Sequence, residues 1–142
     1  MATQTTTQPA LNANRGGLLK RALQVDAILS TALGVLLVAA AAPLADFTGI
    51  NMIALEVVGL VTALYGGWIF WSLPRKFGAY GLPITVVALN IAWVLGSALL
   101  VFTDWVPMTV IGKWSVVAVA DVVLLLAAAE IVGLRRARSV EA

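Results

Sequence analysis

The sequence predicts an all-α protein: a four-transmembrane-helix bundle made of two helical hairpins, with both termini cytoplasmic. Three observations lead there. Hydrophobic residues make up 61% of the chain and charged residues only 11%, whereas a water-soluble domain keeps roughly a quarter of its residues charged. Four apolar runs fill the chain between Leu18 and Leu134, each at or above the roughly 20 residues that cross a hydrocarbon core. The basic residues other than Lys113 flank the spans on alternate sides only, the pattern that orients spans by their cytoplasmic ends. The runs are read as helices because a lipid-exposed backbone must satisfy its own N–H and C=O groups.

Residues 1–17 read as a disordered cytoplasmic tail. Thr, Gln and Ala dominate the first fourteen positions without a charged side chain, and Gly16-Gly17 precedes the first apolar run. The transmembrane domain is expected over 18–136. Its first span runs from about Ala22 to Ala42 and stops at Pro43; the second runs from about Met52 to Leu73 and stops at Pro74. The third covers about Leu82 to Phe102, with Pro83 in its opening turn, where a missing N–H removes no helical bond. The fourth, about Met108 to Leu134, exceeds the span length and is expected to tilt. Residues 137–142 form a second cytoplasmic tail. A cleaved signal peptide competes for the first run, since Arg15, Lys20 and Arg21 precede it. The run is retained as a span because Asp26 interrupts it and it outlasts the roughly 7–15 apolar residues of a signal core.

Arg15, Lys20 and Arg21 precede span one, Arg75 and Lys76 separate spans two and three, and Arg135, Arg136 and Arg138 follow span four. The other two connections hold Asp46 and Asp104 and no basic residue. The chain is therefore expected in a bacterial inner membrane as a multi-pass protein with both ends inside. Trp68, Trp71, Phe77 and Tyr80 flank the inner interface, and Phe47, Phe102, Trp105 and Trp114 the outer one. A 64-position shift superposes Asp26 on Asn90 and Pro43 on Pro107; one extra gap then superposes Glu56 on Asp121. Such a weak parallel repeat would place a pseudo-axis along the membrane normal.

Cysteine and histidine are absent from the chain, which removes thiolate chemistry, the usual zinc sites and the commonest general base near neutral pH. No nucleophile–base pair, metal-ligand cluster or phosphate-cradling glycine loop is present either. No catalytic, cofactor-binding or metal-ligating residue is assigned, and no enzymatic activity is expected. The basic residues read as topology signals and contacts to anionic lipid, not to nucleic acid.

The residues that need an explanation are the polar ones inside the spans: Asp26, Glu56, Asn90, Lys113, Asp121 and Glu130. A charge at the bilayer centre costs at least about 2.5–3.5 kcal/mol, so each requires a partner. Glu56 and Lys113 lie at equal depth near the outer side and are expected to pair, clamping spans two and four. Glu56 shares a stripe with Gly59, Ala63 and Gly67, small residues that admit a neighbouring helix. Asp121, the deepest carboxyl, is expected to meet the Asn90 amide. Asp26 and Glu130 lie nearer the cytoplasmic side and are expected to snorkel towards Lys20, Arg21, Arg135 or Arg136. Asp26 with Ser30, and Asn90 with Trp93 and Ser97, form polar-small faces that suit helix–helix seams. On span four Lys113 and Asp121 project within roughly 80° of each other, with Glu130 nearly opposite Asp121.

The stretches ALNIAWVLGSALLV (88–101), PMTVIGK (107–113) and EIVGLRR (130–136) resemble a group of small bacterial four-span integral membrane proteins of unknown function. The resemblance covers the second half best. It implies a four-helix membrane protein and carries over no catalytic residue. The expected role is that of a structural or accessory subunit. Its partners would be the lipid bilayer and a larger membrane complex or further copies of the chain. The alternative is a proton-coupled or cation transporter working as a homo-oligomer, with Asp121, Asn90 and Glu56 as carriers.

Overall fold

The computed structural model describes residues 8–76 and 81–138. Among them are five helices and no strand: α1 (Gln8–Ala39), α2 (Ala41–Thr48), α3 (Met52–Lys76), α4 (Gly81–Thr103) and α5 (Val110–Arg138). Four contain stretches long and apolar enough to cross a membrane: Gly17–Ala39, Met52–Arg75, Gly81–Thr103 and Val110–Arg138. The outer surface has the same character. Leu64 is 65% exposed and Leu125 71%, and many other large apolar side chains stand outward beside them, a surface that suits hydrocarbon and not water.

Two boundaries differ in place from those expected. Helix α1 begins at Gln8, ahead of the apolar run that starts at Leu18. Pro9 sits in the first turn, where its missing N–H removes no bond, and the Ala and Leu residues after it favour helix. Prolines were expected to end spans one and two, and neither does so in that simple way. The chain bends at Ala40 (φ −113°, ψ 23°), whose N–H still bonds Leu36 O at 2.9 Å and whose carbonyl accepts Leu44 N–H at 3.0 Å. Pro43 then falls in the first turn of α2, a short helix absent from the expected elements. Helix α3 runs through Pro74 to Lys76, and beside the proline the Arg75 guanidinium donates to Trp71 O at 2.7 Å. Residues 1–7, Phe77, Tyr80 and residues 139–142 lie outside the described residues.

The helix ends are closed by local chemistry. Gly49 adopts the left-handed conformation (φ 76°) that ends α2, its N–H bonding Ala45 O at 2.9 Å. Asn51 Oδ1 accepts the N–H of Ile53 at 2.9 Å and caps α3. Thr109 Oγ1 accepts Gly112 N–H at 3.0 Å at the start of α5, while its own N–H bonds Thr48 O at 2.8 Å. These contacts tie the end of α2 to the start of α5.

Helix α1 sits between α3 and α5, α4 packs on α5, and α3 meets α4 only along a loose seam. The α1–α3 contact is the closest. The Gly34 backbone lies against the backbones of Gly59 and Ala63, and Gly66 against that of Ala27, the approach that small residues permit. Because residue numbers rise on α1 as they fall on α3, the two helices run in opposite directions. Gly133 of α5 meets Leu19 of α1 in the same antiparallel sense. Leu19, Leu23, Ala27, Ile69, Leu73, Leu82 and Val86 make the buried apolar cluster. It occupies the end of the bundle where α1 and α4 begin and α3 and α5 finish.

Candidate functional site

Beside that apolar cluster, each of the four long helices contributes one polar side chain to a single buried group. Asp26 comes from α1, on the face that carries Leu19, Leu23 and Ala27. Tyr65 comes from α3, Asn90 from α4 on the face of Val86 and Ser97, and Glu130 from α5 between Ala127 and Gly133. Each lies on its helix at the three- and four-residue spacing that builds one face. Asp26 is 1% exposed, Asn90 3% and Glu130 0%; Tyr65 is half-buried.

Asn90 is the centre of the group. Its amide nitrogen donates to Asp26 Oδ2 at 3.1 Å and to Glu130 Oε2 at 3.2 Å, which uses both of its hydrogens. Its carbonyl oxygen accepts from the Tyr65 hydroxyl at 3.1 Å. That hydroxyl also stands 3.4 Å from Asp26 Oδ2 and 3.5 Å from Val86 O, but it has one proton to give and the Asn90 contact is the shortest. Ser30 Oγ, one turn along α1, donates to Asp26 Oδ1 at 3.0 Å. Among the described residues, Glu130 Oε1 is buried without a hydrogen-bond partner, as are Ser72 Oγ and Trp93 Nε1. Tyr65 stacks on Trp68, ring centroids 6.3 Å apart.

The other anticipated pairings do not form. Asn90 does not meet Asp121; it bridges Asp26 and Glu130, and Asp121 is exposed on the outer face of α5. The reason is the helix rotation noted above: Glu130 and Asp121 project to nearly opposite sides, so burying one turns the other outward. Asp26 and Glu130 do not snorkel to the basic residues. Both point into the bundle, where the Asn90 amide on a third helix bonds one oxygen of each. Glu56 and Lys113 do not clamp α3 to α5, because α1 lies between those helices. Lys113 forms its salt bridge with Asp104, just before α5, and Glu56 is half-buried with no hydrogen-bond partner among the described residues. Of the small stripe on α3, Gly59 and Ala63 do face α1; Gly67 stands in open space and Gly66 takes its place.

Tyr65 was missed because attention to charge and amides passes over a phenol, although its hydroxyl is both donor and acceptor. The repeat offered a signal for it. The 64-position shift that superposes Asp26 on Asn90 becomes 65 after the gap, and that offset superposes Tyr65 on Glu130. All four members of the buried group thus occupy two pairs of corresponding positions.

Chemically, the group is two carboxyls, one amide and one phenol, without a basic side chain among them. Among the described residues no cluster of three or more His, Cys, Asp or Glu side chains forms a metal-binding set. No family model, no curated protein and no solved structure matches the chain.

Proposed function

We propose that the chain is a structural or accessory subunit of the bacterial inner membrane, multi-pass, with both termini cytoplasmic and no catalysis of its own. The position of Asp121 carries this reading. On α5, Trp114, Ala118, Asp121, Leu125, Ala128 and Val132 recur at alternating spacings of three and four residues, and all six are exposed. That period is a helix–helix seam, and alanines within it allow close approach. A carboxyl facing hydrocarbon near mid-span costs at least about 2.5–3.5 kcal/mol unless another group meets it. A helix from a neighbouring subunit, carrying a hydrogen-bond donor at that depth, supplies what this chain lacks there. The orientation rests on the basic residues: Lys20, Arg21, Arg75, Arg135, Arg136 and Arg138 belong to helix ends that share one side of the bundle.

Blue-native electrophoresis after mild extraction tests the proposal. The wild type is expected in a defined larger assembly that Asp121→Leu dissociates; a lone monomer for the wild type would refute it. The chain has no cysteine, so Ala118→Cys introduces its only thiol. Disulfide cross-linking then reports whether the neighbour is a second copy or another protein. The alternative reading, a proton-coupled or cation transporter acting as a homo-oligomer, draws its support from the buried Asp26–Glu130 pair. Flux in liposomes abolished by Glu130→Gln would favour it.

A further inference from the structure

We infer that Asp26 and Glu130 form a binding site for one monovalent positive charge, a proton or an alkali-metal ion, inside the bundle. Both carboxyls accept from the same Asn90 nitrogen, which keeps those two oxygens within about 6 Å of each other. Their donors are few: Ser30, Asn90 and, at 3.4 Å, the Tyr65 hydroxyl for Asp26, and Asn90 for Glu130. Glu130 Oε1 is left without a partner although the residue is wholly buried. A buried carboxylate oxygen that no protein donor reaches is costly to hold in the charged form. A bound cation removes that cost and the repulsion between the two carboxyls together.

Among the described residues, no basic side chain is recorded as bonded to either carboxyl. The salt bridge among the described residues is Lys113–Asp104, at the other end of α5. Around Glu130, α1 presents Asp26, and its Lys20 and Arg21 are exposed. Helix α3 presents the Tyr65 phenol, while its Arg75 lies over the Trp71 ring, 4.4 Å from its centre. Helix α4 carries no charged residue, and Arg135 on α5 itself is exposed. The donor set also sets the class of ligand. Two carboxyls with a phenol and hydroxyl oxygens, and no third acid beside them among the described residues, suit a single positive charge better than a divalent metal. Tyr65 is the half-buried member of the group and stands on the loose seam between α3 and α4.

The test is the stability of the purified protein in detergent, measured from pH 5 to 9 in choline, sodium and potassium buffers, for the wild type, Glu130→Gln and Asp26→Asn. If the ligand is a proton, the wild-type unfolding equilibrium shifts towards the unfolded state as pH rises. The shift approaches tenfold per pH unit, since one proton is released, and is the same in all three salts. If it is an alkali-metal ion, sodium or potassium restores at high pH the stability lost in choline. In either case the dependence disappears in Glu130→Gln, whose neutral amide needs no counter-charge. A wild type indifferent to both pH and salt overturns the inference, as does a Glu130→Gln protein that retains the full response. If neither variant folds, the wild-type titration still decides. Failure here leaves the subunit proposal standing, because that proposal is read from assembly through Asp121 and not from cation-linked stability.

Discussion

Replacing Asn90 by leucine isolates the contribution of the bridging amide while keeping the side-chain volume. The asparagine makes three interhelical hydrogen bonds, donating to Asp26 and Glu130 and accepting from Tyr65. Interhelical hydrogen bonds in membranes average about 0.6 kcal/mol, so simple loss of the three amounts to about 2 kcal/mol. The partners left behind raise that figure. Tyr65 can turn to Val86 O, but Glu130 loses its one hydrogen-bond donor, and a buried group orphaned in this way costs about 1–3 kcal/mol. The expected destabilisation is therefore about 3–5 kcal/mol. Unfolding by SDS in mixed micelles, followed by the fluorescence of the five tryptophans, measures it. A loss below about 0.5 kcal/mol, the size of an ordinary surface substitution, would refute the reasoning. A double-mutant cycle with Glu130→Gln adds a stricter check, with a coupling of at least about 0.5 kcal/mol expected for residues in direct contact.

Other consequences follow from the packing. Gly34→Val places a branched side chain where the Gly59 and Ala63 backbones already lie; it should destabilise the protein by about 1–3 kcal/mol or more, whereas Gly67→Ala, with nothing near its added carbon, should lie within about 0.5 kcal/mol of wild type in the same SDS titration. Asp104→Asn breaks the Lys113 salt bridge, but Asp104 is 73% exposed, so the same assay should register less than about 1 kcal/mol. Asp104 also holds a positive φ of 52°, and Asp104→Gly should recover part of that loss by relieving the backbone. Single cysteines placed at Thr5 and Val140 should both react with membrane-impermeant maleimide only after the cytoplasmic face is opened; labelling of one from outside intact cells would overturn the proposed orientation.

Composition and run length sufficed to locate the four long helices, because a span announces itself through some twenty consecutive apolar residues. Proline was a poorer guide. At Pro43 and Pro74 its position relative to a helix end decides whether it stops, bends or merely sits in the chain, and that position is not visible in the residue itself. The candidate site was half legible. Asp26, Asn90 and Glu130 stood out as polar groups inside spans, but their assignment to partners needed the order of helices around the bundle. Depth alone matched Glu56 with Lys113 and Asp121 with Asn90. The helix order, with α1 between α3 and α5, undoes the first match, and the rotation of α5 undoes the second. Tyr65 and Ser72 escaped notice because hydroxyls cost little in an apolar helix and break no hydropathy pattern.

Two of the polar bonds at the centre of the bundle tie the first half of the chain to Asn90 in the second: Asp26 to Asn90, and Tyr65 to Asn90. A ribosome delivers α1 and α3 before α4 exists. Until then the Asp26 carboxylate has Ser30 and the distant Tyr65 hydroxyl as its whole company, and the early hairpin carries an acid waiting in the lipid for its amide. Arrival of α4 is thus the step that makes the inserted chain whole, and a nascent protein arrested before Asn90 should be the form that quality-control proteases remove fastest.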